Sequence, residues 1–156
     1  MEWRLRNKKM ERNSKVKEYV LDTSIVIKWF SEYDEDDLQK ALDLRHKILE
    51  GRCFVVVPDL LFYELSNALR YNPHFTAGDV TGAVTAVTDM GFDVKGIENE
   101  TVERAVEIAF QYSVSVYDAY FLALSRKERK PFVTADYRFY EKVKKLKNIV
   151  RLSHLD

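Results

Sequence analysis

The chain has 156 residues and a mass of 18.4 kDa, a size typical of one domain. Its apolar runs fall well short of the ~20 residues that a membrane-spanning helix needs, and its start has no apolar stretch of the signal-peptide type. A single cysteine, Cys53, excludes an internal disulfide bond. Together these features predict a cytoplasmic protein that does not enter a membrane.

The formal net charge of +0 hides a segregation of charge along the chain. Residues 1–31 carry eight Lys or Arg against four Asp or Glu, and residues 121–156 carry ten against four. Residues 32–120 carry seven against seventeen. The basic groups either share one surface that binds a polyanion or form ordinary solvated helix faces, and the sequence leaves both interpretations open.

Strand-like and helix-like segments alternate along the chain. Residues 1–15 are polar and basic, which predicts a loosely ordered extension ahead of one domain spanning 16–156. The predicted strands are 16–22, 54–58, a short piece at 93–97, 131–134 and 148–152. Helices are predicted at 24–31, 60–70, 117–129 and 135–147. A further helix begins after the acidic run 32–37 and ends near residue 50, and another is capped by Thr76 and ends near residue 91. The helix at 99–112 is expected to be capped by Asn99.

This alternation predicts an α/β fold with a parallel sheet covered on both faces. The long helical middle, between Asp59 and Arg129, is expected to add a helical layer on one side of that sheet.

Four carboxylates lie beside segments that are predicted to be buried, where charged side chains are uncommon. Asp22 and Asp136 each follow a predicted strand, and the carboxyl ends of parallel strands are where ligands bind in open α/β sheets. Glu64 shares the apolar face of its helix with Leu61, and Asp118 lies in the first turn of a helix with apolar residues three and four positions on.

Each acid also has an ordinary structural explanation. Asp22 and Asp136 fit helix N-caps, Asp118 fits a first-turn partner of the helix dipole, and Glu64 fits a buried ion pair. All four explanations would have to hold independently for residues expected at one edge of one sheet. Carboxylates ~4 Å apart repel by ~4 kcal/mol at an effective dielectric of ~20, so such a cluster requires a cation among its members.

The cation implied by this set of ligands is a hard one. His46, His74 and His154 have no ligand-like spacing, so the site would consist of oxygen ligands, which suit Mg²⁺ or Mn²⁺. Such an ion activates water and offsets the charge that develops on a phosphodiester. The residues therefore indicate metal-dependent phosphodiester hydrolysis.

The ordered segments VLDTSIVIKWF, YELSNAL, VYDAYFLALS and FVTAD resemble those of PIN domains, and more closely those of VapC-type ribonuclease toxins of toxin–antitoxin pairs. The resemblance covers about residues 16–153. It implies a three-layer α/β/α sandwich, RNA as the substrate, a homodimer and a protein antitoxin. It also implies a catalytic site that binds one or two metal ions through Asp22, Glu64, Asp118 and Asp136, supported by the polar side chains of Thr23, Ser24, Asn67 and Thr134.

A basic set in the C-terminal part of the chain is predicted to lie beside the acidic pocket and to contact RNA phosphates. This set consists of Arg126, Lys127, Arg129, Lys130, Arg138 and Lys142.

Several other functions compete with that of a toxin. A PIN-domain ribonuclease of RNA processing would need no antitoxin, and a PIN scaffold acting only through a partner is a further alternative. A haloacid-dehalogenase-type phosphatase needs a second acid two residues after the first, where this chain has Ser24. A phosphoacceptor signalling domain would also use an acidic Mg²⁺ pocket, but it needs a lysine after its last strand, and NIVRLSHLD has none.

Overall fold

The computed structural model describes residues 16–30 and 36–156. In these ranges five parallel strands form one sheet in the order β3-β2-β1-β4-β5. The strands are β1 (Lys17–Leu21), β2 (Cys53–Pro58), β3 (Asp93–Lys95), β4 (Phe132–Thr134) and β5 (Ile149–Arg151). The helices are α1 (Thr23–Lys28), α2 (Leu38–Leu49), α3 (Leu60–Arg70), α4 (Ala77–Thr88), α5 (Asn99–Tyr112), α6 (Val116–Glu128) and α7 (Tyr137–Val143), followed by a 3₁₀ turn at Leu152–His154.

The strand order changes direction at β1. From β1 the chain moves outward through β2 to β3, then crosses back to β4 on the other side of β1 and continues to β5. Right-handed crossovers therefore place α1 to α4 on one face of the sheet and α5 to α7 on the other. The carboxyl ends of β1 and β4 are adjacent at this switch point, since Leu21 pairs with Val133. A crevice at such a point is the usual ligand site of an open α/β sheet.

The core lies on both sides of the central strand. Tyr19, Val20 and Leu21 of β1 are all buried, as expected for a strand covered on both faces. Helix α6 is buried continuously over Ala119–Ser125 because it lies between the sheet and α5. Asp118, immediately before this buried run, is half-buried at the start of the helix.

The predicted α/β/α class with a central parallel sheet is confirmed, and Thr76 caps α4 through a reciprocal capping box with Asp79. Two predictions were wrong. Asn99 is the first residue of α5 rather than its cap, because Glu98 takes the N-cap position. The helical middle is not one layer, because β3 interrupts it and the chain changes faces there.

The basic extension predicted for residues 1–15 and most of the acidic entry to the second helix lie outside the described residues. None of the described helices combines the length and the apolar character needed to cross a bilayer.

Candidate active site

Asp22 lies at the switch point between β1 and β4. Its backbone N–H donates to the Val133 carbonyl at 3.0 Å, which extends the pairing of the two strands by one residue. Its side chain is only 7% exposed. Asp22 occupies the N-cap position of α1, but its carboxylate makes no capping hydrogen bond. Helix capping therefore does not explain the carboxylate.

Hydroxyl groups from both strand ends bind the Asp22 carboxylate. Ser24 Oγ and Thr134 Oγ1 donate to the same oxygen, Oδ2, at 2.8 and 2.7 Å. Ser24 Oγ accepts from the backbone N–H of Ala135, and Thr134 Oγ1 accepts from that of Asp136, both at 3.0 Å. These bonds hold the segments after β1 and β4 together and leave the other oxygen of Asp22, Oδ1, without a hydroxyl donor among the described contacts.

Asp136 does serve as a helix cap, as one interpretation of the sequence predicted. Its Oδ1 accepts from the backbone N–H of Phe139 at 3.0 Å, at the start of α7. The capping bond uses one carboxylate oxygen and fixes the side chain at the carboxyl end of β4.

Glu64 reaches the site from α3. Leu61, Leu65 and Leu69 are buried, and Glu64 lies half-buried beside that apolar face. Its Oε1 accepts from Thr23 Oγ1 at 2.7 Å, which connects α3 to the start of α1. Asn67, predicted to face the same way, has an exposed side chain and no described hydrogen bond to the acids.

Asp118 enters from the opposite face of the sheet at the first turn of α6. Ser115 caps this helix, and its Oγ accepts from the Asp118 backbone N–H at 3.0 Å. Ser115 was not among the residues predicted from the sequence, although Ser115 and Asp118 have the spacing of a capping box.

The pKa shifts show how closely these acids interact. Burial raises the pKa of Asp22 to about 7, the hydrogen bonds from Thr134 and Ser24 oppose this rise, and the charges of Asp118 and Glu64 add to it. Burial also raises the pKa of Glu64, against the Thr23 hydrogen bond and with a further contribution from Asp118.

The pKa of Asp118 is raised in the same way. Burial is the largest cause, and the charge of Asp136 adds to it, whereas Ser115 and Lys142 oppose it. The four carboxylates thus form one electrostatic cluster whose ionised form is penalised by burial and by mutual repulsion.

The donor chemistry of the cluster fits a hard divalent cation. Within the described ranges, no three acidic, histidine or cysteine side chains converge tightly enough to form a preassembled metal-binding group. Mg²⁺ does not require such a group, because it keeps several waters and is commonly held by one or two carboxylates. Asp22, Glu64, Asp118 and Asp136 supply oxygen donors only, and a bound cation would offset the mutual repulsion of their charges.

The predicted basic set does not lie together beside this cluster. Lys142 is close enough to lower the pKa of Asp118, and Arg138 is on the same short helix, α7. The expected position beside the acidic cluster was wrong for Arg126, Lys127, Arg129 and Lys130, which end α6 and precede β4, whereas Asp136 follows β4. They therefore lie toward the opposite edge of the sheet.

The fold and the acidic crevice define a class of protein, an α/β/α domain with a carboxylate cluster at its switch point. The sequence matches the family model of the PIN domain over residues 19–145, most of the chain. This chain belongs to the PIN domain family. No curated protein shows a significant sequence match.

Solved structures share the fold at low sequence identity. A toxin–antitoxin complex from Klebsiella pneumoniae is 18% identical with a TM-score of 0.62, covering 86% of this chain and 97% of that chain. FitAcB from Neisseria gonorrhoeae is 14% identical with a TM-score of 0.63, covering 88% and 99%. A VapC toxin from Mycobacterium tuberculosis, described as cleaving the sarcin–ricin loop, is 17% identical with a TM-score of 0.61, covering 75% and 87%.

Proposed function

We propose that this protein is a Mg²⁺- or Mn²⁺-dependent endoribonuclease and the toxin of a VapBC-type toxin–antitoxin pair, acting in the cytoplasm. The observation that carries the nuclease proposal is the cluster of four carboxylates at the switch point. Burial raises the pKa values of three of them, Asp22, Glu64 and Asp118. These three come from the end of β1, from helix α3 and from the first turn of α6. A cluster that repels itself is costly to maintain unless it binds a cation.

The chain's own residues orient the cluster. Asp22, Glu64, Asp118 and Asp136 would hold the metal, which when bound supplies an activated water and offsets charge on the phosphodiester. Thr134 and Ser24 fix Oδ2 of Asp22, and Thr23 fixes Oε1 of Glu64. Ser115 and Lys142 favour the ionised form of Asp118, the form that can bind a cation. Asn67 is exposed on α3, three residues beyond Glu64.

The toxin role rests on the membership of the family and on the similar structures. The proteins of those structures are described as a toxin–antitoxin complex and as a toxin that cleaves the sarcin–ricin loop, and they share the fold of this chain. By that likeness we propose an RNA substrate, an inhibitory protein antitoxin and a homodimer. A PIN-domain ribonuclease of RNA processing would share the chemistry but not the antitoxin.

The nuclease proposal is tested by incubating the purified protein with labelled RNA in Mg²⁺ or Mn²⁺. We expect cleavage that excess EDTA abolishes and that Asp22→Asn and Asp118→Asn each lower by about 100-fold or more. Asp89→Asn, an exposed acid after α4, is the matched control and should cleave like the wild type. Cleavage that persists in EDTA or in both site variants would contradict the metal mechanism.

The toxin proposal needs a separate experiment. Wild-type protein expressed in a bacterial host should arrest growth, whereas Asp118→Asn protein should not. Co-expression of the neighbouring upstream reading frame should restore growth and inhibit cleavage in vitro. If the neighbouring product neither binds the protein nor inhibits cleavage, the role in RNA processing is favoured.

A further inference from the structure

A second pocket lies toward the edge of the sheet opposite the acidic cluster. It has a volume of about 550 Å³ and is bounded by the first turns of α5, the last turn of α6 and the segments that lead into β4 and β5. Its basic lining residues are Arg104, Arg126, Lys127, Arg129, Lys130 and Lys147. We call this the amino-edge pocket.

The amino-edge pocket is strongly basic. Six of its lining residues are Arg or Lys, and among its described lining residues Glu100 alone is acidic. Lys127 pairs with Glu98 and Lys130 pairs with Glu18. No carboxylate of the described residues forms an ion pair with Arg126, Arg129 or Lys147, so their charges are available to an anion.

One polar group in the lining lacks a partner. Thr101 is 2% exposed, and its Oγ1 has no hydrogen-bond partner among the described residues. Leaving such a buried hydroxyl unsatisfied is unfavourable, and a bound acceptor would remove that penalty. Thr101 lies in the first turn of α5, whose N-cap residue, Glu98, makes no side-chain capping bond. The N–H groups of that turn and the helix dipole favour an anion at the same place.

A simpler explanation covers only part of these observations. Arg126 and Lys127 lie in the last turn of α6, where cations offset the negative end of the helix dipole. Arg104 forms an ion pair with Glu107 on its own helix. Neither effect explains Lys147, which comes from another segment, or the unpartnered hydroxyl of Thr101.

We propose that the amino-edge pocket binds a backbone phosphate of RNA, and in naming RNA this inference rests on the proposed function. Basic side chains, helix N–H groups and a hydroxyl are the groups that contact phosphate oxygens in nucleic-acid complexes. Arg126 is eight residues beyond Asp118 on α6, about 12 Å along the helix axis. A phosphate in this pocket is therefore not the one hydrolysed at the acidic cluster. It belongs to another nucleotide, and the pocket selects RNA long enough to reach both places.

The test measures RNA binding without cleavage. A fluorescein-labelled single-stranded 12-nucleotide RNA is titrated in EDTA at several salt concentrations, with anisotropy as the readout. The double variant Arg126→Gln/Lys147→Gln should bind about tenfold more weakly than the wild type. The slope of log K against log salt should also become shallower by about 0.7, since the contact with one phosphate is lost. Arg52→Gln/Arg70→Gln changes the charge equally at exposed positions elsewhere and should bind like the wild type.

A second variant separates ligand binding from folding. Thr101→Val keeps the side-chain shape and removes the hydroxyl, so its melting temperature without RNA should equal or exceed that of the wild type, while its RNA affinity falls several-fold. Equal affinity and salt slope in the wild type, the double variant and Thr101→Val would overturn the proposal. The proposal would also be overturned if a mononucleotide or an acidic peptide saturated the pocket while the double variant left the RNA affinity unchanged.

The outcomes also separate this inference from the nuclease proposal. If the wild type cleaves RNA and the double variant binds like its control, the pocket assignment fails and the nuclease stands. If the wild type cleaves no RNA in Mg²⁺ or Mn²⁺ but the double variant binds RNA weakly, the nuclease fails and the pocket stands.

Discussion

At the scale of single residues, Asp22 is the most strongly perturbed group of the acidic cluster. Its pKa is raised to about 7, mainly by burial, although two hydroxyls donate to it. An acid whose pKa is higher in the folded than in the unfolded protein binds a proton more tightly when folded. Its ionisation therefore opposes folding as the pH rises.

This shift predicts a pH-dependent stability difference in the absence of metal. As the pH rises from about 4 to about 7, the wild type should lose up to about 4 kcal/mol of unfolding free energy relative to Asp22→Asn, which does not ionise. Denaturant unfolding in EDTA at pH 5 and pH 8 measures the difference. Asp22→Asn should be the more stable protein at pH 8, and its advantage should shrink at pH 5. A difference in unfolding free energy between the two proteins that is the same at pH 5 and pH 8 would contradict the assigned pKa of Asp22.

Thr134 is the residue that links the two strand ends. It is fully buried, donates to Asp22 and accepts from the Asp136 backbone N–H. Thr134→Val should therefore lower stability by about 1–3 kcal/mol, because it leaves that N–H unpaired, and should raise the pKa of Asp22 further. The pH profile of cleavage should shift to higher pH. Thr134→Ser keeps the hydroxyl and should restore the pH profile of the wild type. If it does not, the hydrogen bond from residue 134 to Asp22 is not the cause of the shift in the pH profile.

At the scale of elements, the start of α6 determines where Asp118 lies. Ser115 caps this helix, and its hydroxyl also favours the ionised form of Asp118. The helix is buried from Ala119 to Ser125 between the sheet and α5, so its first turn cannot shift independently of the core.

Substitutions at two helix caps compare the effect of the Ser115 cap on cleavage with that of a control cap. Ser115→Ala and Thr76→Ala should each lower the unfolding free energy by about 1 kcal/mol, since each removes a capping oxygen. Only Ser115→Ala should also lower the cleavage rate, because Thr76 caps α4 away from the acids. Equal cleavage by the two variants would show that the Ser115 cap is purely structural.

At the scale of the whole molecule, the fold and the proposed metal site are predicted to be separable. The core extends over both faces of the sheet and contains none of the four acids except Asp22. Removing metal should therefore abolish cleavage without unfolding the protein.

Thermal unfolding and far-UV circular dichroism test this separation. The far-UV spectrum should be unchanged by EDTA. At pH 8, Mg²⁺ at 100 times its dissociation constant should stabilise the wild type by about 2.7 kcal/mol, and Asp118→Asn much less. Loss of the far-UV signal in EDTA would mean that the metal is needed for folding.

The order of strands and helices could be predicted from the sequence, because FVVVP has the pattern of a buried strand and LLFYELSNALR has apolar residues at helical spacing. The candidate acids could be predicted as well, since Asp22 directly follows β1 and Asp136 comes two residues after β4. Helix ends were less predictable. The helix predicted over 135–147 ends at Val143, and Glu98 rather than Asn99 takes the cap of α5, because tertiary contacts decide between adjacent cap residues.

The sequence by itself determined the fold class of this protein and the four acids of its crevice, because periodicity and strand ends are local properties of the chain. Only the tertiary structure decided which side chains share a surface. Asp118 and Arg126 lie on one helix, yet the length of α6 carries them toward opposite edges of the sheet. Thr134 and Asp22 are 112 residues apart and share a hydrogen bond, because parallel pairing places the ends of β1 and β4 side by side.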